Sequence, residues 1–122
     1  MKKMSVAFTL LIVVAFVLTA CGPAAAPTAT KIKIGEVTDL GGVNDKSFNA
    51  SAWKGVQDAI TQLGVEGKFL QSTQQSDYAK NIQQMLTEKE DLIITVGFLL
   101  GVDTATAAKA NPNQKFAIVD YT

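Results

Sequence analysis

Residues Lys31 to Trp53 read "KIKIGEVTDLGGVNDKSFNASAW", and the fold turns on this stretch because its hydrophobic period changes once, at a glycine pair. Before Gly41-Gly42, the β-branched Ile32, Ile34 and Val37 mark a strand over Lys31–Asp39. The alternation is imperfect, since Glu36 falls on the parity of the two isoleucines. After the glycines, Phe48, Ala52, Val56, Ala59, Ile60 and Leu63 recur at helical spacing, which predicts a helix over Asp45–Leu63. Asn44 or Asp45 is available as its N-cap and Gly64 as its stop.

Downstream the same unit recurs. "KFLQS" (Lys68–Ser72) predicts a second strand, followed by a polar loop. Tyr78, Ile82, Met85 and Leu86 form a helical stripe, with Ser76 as a plausible cap and the charged Glu88-Lys89-Glu90 at the end. "DLIITVG" (Asp91–Gly97) is continuously apolar, as a central parallel strand covered on both faces ought to be, and "KFAIVD" (Lys115–Asp120) repeats it. The alanine-rich helix between them stops before Pro112. Four strands alternate with three helices, so the expected class is α/β, a parallel Rossmann-like sheet with right-handed crossovers and helices on both faces. Such sheets bind ligands outside the carboxyl ends of their strands. Asp39, Gly97, Phe98 and Asp120 all follow strands and therefore fall on one rim.

Upstream, Met1-Lys2-Lys3 precedes the apolar run Val6–Leu18, shorter than the roughly 20 residues a bilayer-spanning helix needs. Residues 1–20 read as a signal peptide. The chain's one cysteine, Cys21, follows Leu18-Thr19-Ala20, and "LTAC" resembles the lipobox at which bacterial lipoprotein precursors are lipidated and cut. Lipidation of Cys21 with more than one acyl chain would give stable anchoring to the outer face of the cell membrane. Residues 21–30, small and uncharged with two prolines, read as a flexible tether. One folded unit is then expected over 31–122.

Without Lys2 and Lys3 the chain has nine lysines against eleven acids, and it contains neither arginine nor histidine. Nucleic acid, which wants clustered positive charge, is an unlikely partner on that balance. Lacking histidine, the chain has neither the usual general base nor the commonest metal ligand. No catalytic residue, metal or cofactor is expected.

The rim residues admit two readings each. Phe48 either staples the helix to the core or offers its ring to a planar ligand. Asn49 supplies a donor and an acceptor that suit the edge of a heterocyclic base, or is a solvated helix amide. Asp39 and Asp120 can clamp a vicinal diol such as ribose, or cap a turn and begin a loop. Asp45 is most simply a helix cap, and Trp53 a packing residue. Ser47 has no partner base and is not a nucleophile candidate. The glycine pair lacks the GxGxxG spacing of a dinucleotide loop.

"LTAC", "IGEVTDLGGVNDKSFNASAWKG", "DLIITVGF" and "KFAIVD", in that order, resemble the N-terminal part of the basic membrane protein family of lipoproteins, purine nucleoside receptors of ABC importers. The resemblance implies a type I periplasmic-binding-protein fold, of which 31–122 would be a partial N-terminal lobe with the second lobe absent. It also implies that Phe48 stacks on the base, Asn49 reads the base edge, Asp39 and Asp120 hold the ribose or neighbouring atoms, and Gly97 and Phe98 line the cleft. The implied partners are a purine nucleoside, an ABC permease and, through the lipid, the membrane, with the receptor itself a monomer. Two alternatives carry less: a sugar receptor of the same fold commonly adds arginine, which this rim lacks, and a nucleoside-processing enzyme would want an acid cluster or metal site.

Overall fold

The computed structural model describes residues 30–121. The expected signal peptide, most of the expected tether and Cys21 lie outside the described residues. Four strands, β1 (Lys33–Thr38), β2 (Glu66–Gln71), β3 (Leu92–Val96) and β4 (Lys115–Val119), alternate with helices α1 (Phe48–Leu63), α2 (Tyr78–Thr87) and α3 (Gly101–Ala110). All strand pairs are parallel, and the sheet order is β2-β1-β3-β4. The chain winds outward in both directions from β1, so a crevice opens where the order reverses, between the carboxyl ends of β1 and β3.

The two faces of β1 are told apart by what lies on them. A Cβ on Gly35 would meet the Met85 sulfur, so the Gly35–Val37 face is covered by α2. Val37, Tyr78, Ile82, Met85, Ile93 and Leu100 form the buried core there, each such side chain contributing about 1.5–3 kcal/mol by leaving water. On the other face a Cβ on Gly67 would meet Val56 and Ile60 of α1. Gly67 pairs with Ile34 and Phe69 with Glu36, so Glu36 sits under α1. Trp53 closes this layer, its ring edge-on to Phe69 at 5.0 Å and 68°.

Several boundaries differ from the sequence reading. The second strand begins at Glu66, not Lys68, because the Glu66 amide donates to the Ile32 carbonyl at 2.8 Å and starts the ladder early. Helix α1 begins at Phe48, not Asp45, with Ser47 at the cap position and making no side-chain cap bond; Gly64 ends it with φ 70° as expected. Ser76 does not cap the second helix. It lies inside a short 3-10 turn, Gln75–Asp77, whose capping box is closed by the Asp77 carboxylate, which accepts from the amides of Thr73 and Gln74 and from both their side chains. The Gln74 amide and the Thr73 donors hold the Asp77 carboxyl below the usual range. A second 3-10 turn, Phe98–Leu100, leads from β3 into α3.

Candidate functional site

The rim is built from the loop after β1. Its first turn is closed by the Gly42 amide on the Asp39 carbonyl at 3.3 Å and the Asp45 amide on the Gly42 carbonyl at 3.2 Å. Gly42 has φ 71°, the left-handed region that favours glycine, and a Cβ there would stand 2.7 Å from the end of the Gln71 side chain, which would have to move aside. The chain then enters α1 over the Asp45 carboxylate. That group accepts from the backbone amides of Ser47 (2.8 Å), Ala50 (3.0 Å) and Asn49 (3.1 Å), and from the Asn49 side chain (3.0 Å). Desolvation works against its ionisation, but the donors of Ala50, Ser47 and Asn49 outweigh it and hold the Asp45 carboxyl below its ordinary value. Asp45 is therefore the cap that the sequence suggested, acting from two positions before Ser47.

The sign of its pH effect follows. A carboxyl with a depressed folded-state pKa stabilises the fold above its unfolded value and loses that contribution as pH falls through the folded value. Asp45→Asn is expected to lower the melting temperature at about pH 7 and to flatten the acid limb of stability below about pH 4, read from thermal melts across that range. An acid limb as steep as the wild type's would contradict the cap.

Asp39 stands half-buried at the end of β1. Its Oδ1 accepts from the Gly41 amide at 2.9 Å and from Asn49 Nδ2 at 2.7 Å. Its Oδ2 faces Gly97, whose added Cβ would lie 2.5 Å away. Gly97 has φ 105° and ψ 135°, and its amide donates to the Val119 carbonyl at 3.0 Å. The next residue, Asp120, is exposed and takes a left-handed φ of 63°, a conformation uncommon outside glycine but tolerated best by Asn and Asp. One hydrogen-bonded and packed chain of neighbours thus runs from Asn49 through Asp39 and Gly97 to Asp120, across the crevice between β1 and β3. Its outcome is a carboxylate with one oxygen anchored by Gly41 and Asn49 and the other packed against Gly97.

Two rings flank it. Phe48, the first residue of α1, is 53% exposed, and Phe98, beginning the turn after β3, is 64% exposed. Phe48 is therefore not buried as a staple. Tyr121 covers the start of α3, its ring where a Gly101 Cβ would be.

Asn49 is placed differently from the expectation that it reads a base edge. It is only 2% exposed, and its Nδ2 is committed to the carboxylates of Asp39 and Asp45. In this structure its amide joins the two carboxylates, donating to Asp39 Oδ1 and Asp45 Oδ2. Tyr78 is a residue that sequence reasoning used only as core. It is 1% exposed, and burial, with the Asp39 carboxylate nearby, pushes its hydroxyl above the ordinary tyrosine value. The Tyr78 hydroxyl thus underlies the same loop from the α2 face, a placement for which the apolar stripe gave no signal.

A concavity of about 550 Å³ lies at the other end of the sheet, between the C-terminal ends of α2 and α3, lined by Leu86, Thr87, Asn111 and Pro112. It holds none of the rim residues. Among the described residues no group of acids or cysteines is arranged to hold a metal ion.

A parallel α/β lobe with anchored carboxylate, strained acid and exposed rings along one carboxyl rim has the form of one half of a solute-binding cleft of the periplasmic-binding-protein kind. Residues 32–121 match the family described as ABC transporter substrate-binding protein PnrA-like, and the chain belongs to that family. It is 40% identical over 95 residues to the ABC transporter nucleoside-binding protein BmpA of Lactococcus lactis subsp. cremoris, an alignment covering 75% of this chain and 27% of that protein. It is 34% identical over 136 residues to the CD4+ T-cell-stimulating antigen of Listeria monocytogenes, covering 100% of this chain and 38% of that one. Among solved structures, the ABC transporter system solute-binding protein of Aeropyrum pernix K1 superposes with a TM-score of 0.68 at 30% identity, over 75% of this chain and 25% of that one. The chain thus spans well under half the length of these relatives.

Proposed function

We propose that this chain supplies one wall of the ligand cleft of an extracytoplasmic solute receptor, lipid-anchored through Cys21, that binds purine nucleosides and delivers them to an ABC permease without chemical change. Phe48 offers the stacking face for the base, Asp39 and Asp120 accept hydrogen bonds from the ribose hydroxyls, Asn49 holds Asp39 in place, and Gly97 and Phe98 shape the floor and edge of the cleft. The observation that carries this reading is the exposed Phe48 ring, one residue before the Asn49 that holds Asp39, together with a carboxylate whose Oδ1 accepts from Gly41 and Asn49 while Oδ2 lies against Gly97 at the end of β3. An apolar face and a fixed acceptor suit a molecule with a flat heterocycle and a diol. The nucleoside-binding relative supports the same ligand class. The lipobox-like "LTAC" and the tether after it support the anchor. The second wall, which would exclude water from the bound ligand, is expected from a further lobe outside this chain.

Calorimetry of the whole protein against guanosine, inosine, adenosine, cytidine and ribose tests the proposal. Guanosine and inosine are expected to bind far more tightly than ribose. Ribose binding as tightly as guanosine would remove base stacking from the account and leave a sugar receptor; conversion of any nucleoside to product would remove the receptor reading.

A further inference from the structure

We infer that Glu36 is a positioning residue of this site: held as a neutral carboxylic acid beneath α1, it donates its proton to Asn49 Oδ1, directly or through one buried water, and so fixes the amide that braces Asp39.

The inference starts from unpaired atoms. Among the described residues, four buried side-chain oxygens lack a hydrogen-bond partner: both carboxyl oxygens of Glu36, Asn49 Oδ1 and the Tyr78 hydroxyl. Orphaned buried polar groups are rare because each costs free energy. Glu36 and Asn49 share a face of the molecule. Glu36 pairs in register with Phe69, on the side of the sheet covered by α1, and Asn49 and Val56 are the buried residues of α1 itself. Tyr78 belongs to the opposite face.

The orientation of the Asn49 amide is forced. Its Nδ2 lies 2.7 Å from one carboxylate and 3.0 Å from another, and carboxylates only accept. Turning the amide over would set oxygen against oxygen twice, so Oδ1 must look elsewhere for a donor. An ionised Glu36 has no proton to give. A neutral Glu36 has one, and needs an acceptor for it. Each group supplies what the other lacks.

The surroundings of Glu36 favour the neutral form. Its side chain is 0% exposed. Its register neighbours are Phe69 on β2 and Ile94 on β3. From α1 the facing residues, Asn49 and Val56, carry no charge, while Lys54 and Asp58 pair with each other on the solvent side. The one charged group that bears on it is the Asp45 carboxylate, of like sign. Burial first and Asp45 second push the Glu36 carboxyl from 4.5 up to about 7. A carboxyl raised in the folded state makes the fold less stable as pH climbs from about 4.5 to about 7, because the folded form keeps a proton the unfolded form releases.

The test is a carbon-13 carboxyl titration of Glu36 in the whole protein, followed together with the side-chain amide resonances of Asn49, in the wild type, Glu36→Gln and Glu36→Leu. Expected is a Glu36 midpoint near pH 7, with the Asn49 amide signals moving at that same midpoint. Glu36→Gln, which keeps a donor that cannot ionise, should hold the Asn49 signals constant from about pH 5 to about pH 9. Glu36→Leu should release them at every pH. A Glu36 midpoint in the ordinary carboxylate range, or Asn49 signals unmoved by its titration, overturns the inference even if the leucine variant does not fold. The link to binding rests on the nucleoside reading above and is read separately: guanosine affinity should fall at least several-fold from about pH 6 to about pH 9 in the wild type and stay level in Glu36→Gln. Failure to bind any nucleoside, with the Glu36 and Asn49 titrations as expected, would sink the proposed function and leave the Glu36–Asn49 pair standing.

Discussion

Gly97→Ala is expected to destabilise the chain by about 2–6 kcal/mol, from roughly 1–3 for a side chain in a glycine-only backbone region and a similar amount for overpacking. The backbone there has φ 105° and ψ 135°. The new Cβ would stand 2.5 Å from Asp39 Oδ2 and 2.9 Å from its carboxyl carbon, closer than side-chain carbons pack. Neither neighbour gives way cheaply. Asp39 is tied by its other oxygen to Gly41 and Asn49, and Gly97 is tied to Val119 by its amide. Since small domains are stable by only about 5–15 kcal/mol, urea unfolding should show a large drop in midpoint. The double variant Asp39→Ala, Gly97→Ala separates the two causes. It should recover the clash and not the backbone cost, so part of the loss returns when the carboxylate is gone. A loss unchanged by Asp39→Ala would mean that Asp39 and Gly97 are not packed together and that the crevice is not built as described.

Phe48→Ala is expected to weaken purine nucleoside binding by about 1–3 kcal/mol, the range for removing an aromatic from under a base, or roughly 5- to 150-fold in Kd. The same substitution should change stability little. The ring is 53% exposed at the first position of α1, where little apolar area leaves water on folding, and the helix start is set by Asp45. That split between affinity and stability carries the diagnosis. A staple residue would show the reverse, a lower melting temperature with affinity intact. Cytidine should lose less than guanosine, because the smaller ring covers less of the phenyl face.

The alternation of strand and helix was plain from periodicity, since the β-branched run of Lys31–Asp39 and the stripe from Phe48 to Leu63 have different periods. That alternation alone was enough to bring Asp39, Gly97, Phe98 and Asp120 to one rim. What periodicity could not give was side-chain direction within the first turn of α1. Phe48 lined up with Ala52 and Val56 at intervals of four, yet the helix starts so that Asn49 is buried with Val56 and Phe48 turns outward. Apolar out and polar in reverses the usual order, and the cause is the pair of carboxylates, Asp39 and Asp45, that draw the Asn49 amide beneath the loop. The start of β2 was missed because Glu66-Gly67-Lys68 carries no strand-forming side chain; Gly67 is there to make room for Val56 and Ile60, a packing requirement that only the third dimension reveals. Glu36 broke the alternation of β1 in the sequence, but that it would be wholly buried under α1 depended on which face that helix covers.

The most direct test of the central claim is whether the Phe48 ring lies against a bound base. With the whole protein selectively labelled at phenylalanine and saturated with guanosine, nuclear Overhauser contacts are expected between the Phe48 ring protons and the purine H8. Guanosine bound with no such contact from Phe48, or with contacts only from phenylalanines away from the β1–β3 crevice, would contradict it.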